Sequence, residues 1–168
     1  MVVAPALGVV RLPKPVGQDT CRIAPYWLPM SRSWSRADGL AVGIVALTAL
    51  AGLALWPQLP AEVAIHFSAS GTPDNYVSKA VGVFLLPAIM LAMLFVLNAS
   101  MAVDPPSHPQ TGPVITVATT AFLGAVHVFV LAWNAGYPVP LDGLLVGSLA
   151  FGALLVGYTF WREGFSLG

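Results

Sequence analysis

Residues 80–103 read AVGVFLLPAIMLAMLFVLNASMAV, an unbroken apolar run without a formal charge and with one internal proline, Pro87. As a helix it rises far enough to cross a hydrocarbon core of about 30 Å, for which roughly 20 residues at 1.5 Å each suffice. Three further runs share its length and character: Gly39–Trp56, Val114–Trp133 with His127 inside it, and Gly143–Trp161. Helices are the expected form, because in lipid every backbone N–H and C=O must be paired within its own segment. The pattern predicts an all-α integral membrane protein, a four-transmembrane-helix bundle occupying residues 37–168, with spans at about 39–56, 80–103, 114–133 and 143–161.

Composition agrees. Of 168 residues 57% are hydrophobic and 8% charged, where soluble domains carry about a quarter charged, and the mean hydropathy is +0.81. The expected partner is therefore the lipid bilayer. Seven basic and seven acidic side chains cancel, which leaves no basic surface for nucleic acid. The single cysteine, Cys21, excludes a disulfide framework and a thiolate metal cluster.

The connections carry helix breakers. Pro57 and Pro60 follow the first span, Pro105, Pro106, Pro109 and Pro113 separate the second and third, and Tyr137-Pro138-Val139-Pro140 joins the third to the fourth, predicting antiparallel neighbours there. Lysine and arginine near the spans are retained on the cytoplasmic side. Arg32 and Arg36 precede the first span and Arg162 follows the last, whereas the loop over 57–79 has only Lys79. Both termini are predicted cytoplasmic in the plasma membrane, with the 57–79 loop as an extracytoplasmic cap. The middle loop, on the cytoplasmic side in this scheme, holds no lysine or arginine. Trp34, Tyr158 and Trp161 mark one interface and Trp56, Tyr76, Trp133 and Tyr137 the other. Residues 1–36, proline-rich and without period, are expected to be a disordered cytoplasmic segment, and Met30 is an alternative start.

Within the cap, Val63, Ile65 and Phe67 alternate with Ala64 and His66, the period of a short strand with one packed face. Ser70-Gly71-Thr72-Pro73-Asp74-Asn75 is read as the turn that follows. Ser78 is placed to cap the second span, which leaves Lys79 in a first turn that disfavours a cation. Lys79 is therefore expected to pair with Asp74 or to reach lipid head groups. The candidate ligand- or partner-binding residues are His66, Phe67, Gly71, Pro73, Asp74, Tyr76 and Lys79.

Leu59-Pro60, Ile65-His66-Phe67, Gly71, Pro73-Asp74, Ser78-Lys79 and Pro87, in that order, resemble the membrane domain of unknown function that opens the SdpI-type bacterial immunity proteins. The likeness runs from about Gly39 to Leu97, and the additional C-terminal membrane region of the longer members has no counterpart here. The resemblance implies protection against a secreted peptide toxin and membrane signalling, through binding of a peptide or another membrane protein at the cap. It implies no enzyme activity and no cofactor.

Two intramembrane positions remain. His127 is either part of a relay or a packing residue bonded to a neighbouring helix, and Pro87 removes the bond to the Val83 carbonyl, predicting a helix kink that is either static or a hinge. With His127 protonatable and Pro87 a hinge, the alternative function is a small proton-linked transporter or an accessory subunit of one. No carboxylate stands at a metal-ligand spacing from His66, and neither a zinc-protease motif nor a nucleophile elbow is present, so neither a metal nor catalysis is expected. Small residues four apart, Gly39 with Gly43, Gly143 with Gly147, Ser148 with Gly152 and Ala153 with Gly157, are expected to pack helices within the bundle, a homo-oligomer being the other use.

Overall fold

The structure, a computed structural model, describes residues 34–68, 70–140 and 142–164, without the side chain of Asp142. Of the N-terminal segment expected over 1–36, only 34–36 are described, and Cys21 and Met30 lie outside the described residues. The chain forms α1 (Arg36–Leu55), a 3-10 turn (Trp56–Gln58), β1 (Glu62–Phe67), β2 (Pro73–Ser78), α2 (Lys79–Val103), α3 (Thr111–Asn134) and α4 (Asp142–Glu163). All four helices are long and apolar enough to cross a membrane. The protein is a multi-pass membrane protein with a small antiparallel sheet between its first two spans.

The helix ends are satisfied by the few charged groups the chain retains. Ser35 and Asp38 form a reciprocal capping box, in which the Ser35 hydroxyl accepts from the Asp38 N–H at 3.2 Å and the Asp38 carboxylate accepts from the Ser35 N–H at 2.8 Å. This acid at an N-terminus also complements the helix dipole. Asn98 of α2 donates to the same carboxylate at 3.2 Å, tying the end of α2 to the start of α1. At that end of the molecule Glu163 does the equivalent for α3. Its carboxylate accepts from the Ser107 N–H at 2.7 Å and from the Thr111 hydroxyl at 2.5 Å, just where α3 begins.

Helices α1, α2 and α3 pack on one another, and α4 lies beside α3. One apolar cluster joins Ala41, Val45, Met90 and Leu94, and a second joins Leu59, Val63, Val83 and Leu131 beneath the hairpin. The bundle is thus a three-helix core with a flanking fourth helix, none of whose apolar window is buried. Phe122 and Phe151 stack between α3 and α4 with centroids 4.1 Å apart, and with the Glu163 contacts this sets the two helices antiparallel.

The glycines that permit close approach differ from those expected. A Cβ at Gly124 would stand 2.6 Å from the Thr48 hydroxyl, at Gly52 2.9 Å from Val83 Cγ1, and at Gly82 2.1 Å from Val63 Cγ2. Gly39, Gly43, Gly143, Gly147, Gly152 and Gly157 meet nothing within 4 Å, so the expected intramolecular use of these spacings is corrected. The physical reason in α4 is its place, since a helix held at its flank buries no small-residue stripe, and in α1 that Gly39 and Gly43 lie on its exposed face. In lipid, apolar surface alone does not drive helices together, so the backbone contacts at Gly52 and Gly124 carry the association. Gly82→Ala is expected to destabilise the fold by about 1–3 kcal/mol through overpacking, and Gly43→Ala to leave it unchanged, as read by thermal unfolding in detergent.

Candidate functional site

The hairpin is built from two registers. Glu62 pairs with Ser78, Val63 with Val77 and Ala64 with Tyr76, after which the ladder shifts to His66 with Asn75 and Phe67 with Pro73. Ile65 and Asp74 are the extra residues at the two shifts, and such bulges re-aim side chains. Val63 is fully buried, Ile65 and Phe67 are half-buried and His66 is exposed, as the alternation predicts, but Ala64 on the opposite face is fully buried as well, where Asn134 of α3 meets it. The expected turn over 70–75 is corrected. Residues 73–78 are a second strand, and reversal is confined to Ser68–Thr72, where Gly71 takes φ 76° and the Ser68 N–H donates to the Thr72 carbonyl at 2.8 Å. Proline and aspartate are poor strand residues, but here they lie on an edge and at a bulge, where the ladder does not need them.

That geometry brings together two groups eight residues apart. His66 Nδ1 lies 2.5 Å from Asp74 Oδ1. A carboxylate only accepts, so Nδ1 donates and the ring turns Nε2 away from Asp74. With side-chain exposures of 68% and 47%, the pair orients the imidazole more than it stabilises the fold. No cluster of three or more metal-ligating side chains occurs among the described residues.

Three contacts fix the hairpin to the helix ends. The Asn134 carboxamide accepts from the Ala64 N–H at 2.7 Å and donates to the Ala64 carbonyl at 3.0 Å, matching a strand's main-chain pattern from a side chain at the end of α3. Phe67 meets Trp133 edge to face, with centroids 5.0 Å apart. Lys79 does not pair with Asp74, which corrects the expectation from the sequence. Its ammonium donates to the carbonyls of Leu59 at 3.1 Å and Trp56 at 3.3 Å and lies 5.1 Å from the Trp56 ring centroid. The loose carbonyls after α1 attract a cation more strongly than the distant carboxylate, which His66 already holds. Ser78 occupies the N-cap position of α2 without a side-chain capping bond.

A cleft of about 460 Å³ opens between the hairpin, α3 and α4. Ile65, Phe67, Val126, Val130, Leu144 and Leu145 supply its apolar walls, while His66, Ser68 and Ser148 supply polar atoms. Of the residues singled out from sequence, His66, Phe67 and Gly71 line this cleft. Asp74 orients His66, Pro73 faces Phe67 in the ladder, Tyr76 stands exposed on β2, and Lys79 secures the base. The α3 and α4 contributions and Asn134 were not singled out. An asparagine at the end of a span looks like the first loop residue, and only its distance in space from Ala64 reveals its partner.

His127 and Pro87 lie apart from the cleft, in the core. Pro87 stands inside α2 without an N–H for the Val83 carbonyl, and the His127 imidazole lies beside Gly52 together with Val83 and Leu131. His127 is 4% exposed, and its Nε2 has no hydrogen-bond partner.

Residues 43–91 match the family described as "Domain of unknown function (DUF1648)". The matched stretch contains the hairpin, Lys79, Gly82 and Pro87, while α3 and α4, including Asn134 and His127, lie beyond it. The comparison with curated proteins returned no match, and neither did the comparison with solved structures. Asn134→Ala removes both bonds to Ala64 and leaves two partly buried main-chain groups unpaired. It is expected to cost about 1–3 kcal/mol and to raise proteolytic cutting within Ser68–Thr72 severalfold, measured by limited digestion in detergent.

Proposed function

We propose that this chain is a non-enzymatic recognition protein of the plasma membrane, similar in role to the SdpI-type immunity proteins, which binds a secreted peptide with its extracytoplasmic hairpin. The observation that carries the reading is the cleft between hairpin, α3 and α4, apolar along the helices and edged by the oriented His66 imidazole. An amphipathic peptide fits that division of surface, its apolar face against Val130 and Leu144 and its polar face toward His66 and Ser68. A neighbouring membrane protein presenting the same chemistry is the other occupant of this class. Binding would sequester the peptide before it permeabilises the bilayer, and no bond is made or broken. The match over 43–91 supports the assignment of the hairpin to a recurring domain.

Orientation belongs to the same proposal: Arg32, Arg36 and Arg162 hold the termini in the cytoplasm and place the hairpin outside. His127 weighs against proton-linked transport. The imidazole is buried in the apolar core beside Gly52, Val83 and Leu131.

Single cysteines at Ser70 and Ser107, with Cys21 replaced, are expected to label from outside intact cells at Ser70 alone. Labelling at Ser107 instead would place the hairpin in the cytoplasm and end the recognition proposal. In a host sensitive to secreted membrane-active peptides, expression is expected to restore growth, and His66→Ala and Asp74→Ala to reduce it at equal protein levels. Absence of protection against every peptide in the panel, or protection indifferent to both substitutions, would contradict the proposal.

A further inference from the structure

The two edges of the hairpin are not alike. In an antiparallel ladder, residue pairs alternate between those that bond each other and those whose N–H and C=O point away. The Lys79 N–H donates to the Ala61 carbonyl at 2.8 Å, which makes Ala61 and Lys79 a bonded pair. Counting back along the register, Val63 with Val77 is bonded, and Ala64 with Tyr76 is not. The same parity follows independently from Ala64, whose N–H and C=O both turn away from β2 to meet Asn134. The main-chain N–H and C=O of Tyr76 therefore point outward from the free edge of β2. The β1 edge is closed by Asn134. Among the described residues no element covers the β2 edge, and Asp74, Asn75 and Tyr76 are all exposed.

Resting on the recognition reading above, we propose that the free edge of β2 takes up an extended, basic peptide segment as a third strand, bonded main chain to main chain at Tyr76. Strand addition is a common mode of peptide capture, and an uncovered edge is its template. The charge argues for a basic occupant: Asp74 shares its carboxylate with His66, Glu62 has no ion-pair partner among the described residues, and the one lysine beside them, Lys79, is turned onto the carbonyls after α1. A second copy pairing edge to edge would gather the carboxylates of both copies along one seam, which like-charge repulsion opposes.

The full chain in nanodiscs of zwitterionic phosphatidylcholine is titrated against a fluorescent peptide of about ten residues alternating lysine and valine, with binding read by anisotropy. Saturable binding is expected. N-methylation of alternate amides along one edge of the peptide, or Tyr76→Pro, should weaken it roughly tenfold or more by removing main-chain bonds. Proline is tolerated at 76 because that N–H is not used by β1. Its melting temperature reports whether the variant folds, and the methylated peptide decides the matter without it. No saturable binding by the parent chain, equal binding of the methylated peptide, or a dimer that Tyr76→Pro dissociates would overturn the proposal. Protection in cells that survives Tyr76→Pro but not His66→Ala would overturn strand addition alone and leave peptide recognition standing.

Discussion

The carboxamide of Asn134 stands where a third strand would stand, and the hairpin end of the molecule depends on it. A two-stranded hairpin of this length is at best marginally stable in water. On the edge that faces the helices it must also pair its main-chain groups without relying on solvent. Asn134 answers both demands by giving Ala64 an acceptor and a donor from the last residue of α3. With Val63 seated against Gly82, the strand is held at once by α2 and α3, and its outer face acquires a definite direction.

The same demand for paired main-chain groups explains where the charges went. A chain with so little formal charge uses three of its ionised side chains at helix termini: Asp38 on the start of α1, Glu163 on the start of α3 and Lys79 on the carbonyls after α1. Each sign matches the helix dipole it meets. The chemistry presented outward on the hairpin is the His66 imidazole, held at one nitrogen by Asp74, and the Tyr76 main chain.

Much of this was legible in one dimension because the bilayer imposes long, uniform signals. The four spans emerge from hydropathy alone, and the burial of Val63, Ile65 and Phe67 follows from a period of two. The second strand did not, since Pro73, Asp74 and Asn75 are ordinary turn residues and only pairing with β1 makes them a strand. Nor did the partners of Lys79, His66 and Asn134, which are separated by up to 70 positions from what they touch. The flanking place of α4 was hidden for a different reason. Its glycine and serine spacings promise close packing, yet a spacing does not name the helix it faces, and here the close contacts fall at Gly52, Gly82 and Gly124. His66 and Asp74 were both selected as site residues, but their union required the bulge.

The central claim is that one edge of the hairpin is closed and the other open. Amide hydrogen exchange of the chain in nanodiscs, resolved to single residues, tests it most directly. The account predicts that the Ala64 amide, held by Asn134, exchanges slowly, as does that of Val77 within the ladder, while the Tyr76 amide exchanges quickly. Equal protection at Tyr76 and Ala64, or rapid exchange at Ala64, would contradict the asymmetry on which the recognition surface rests.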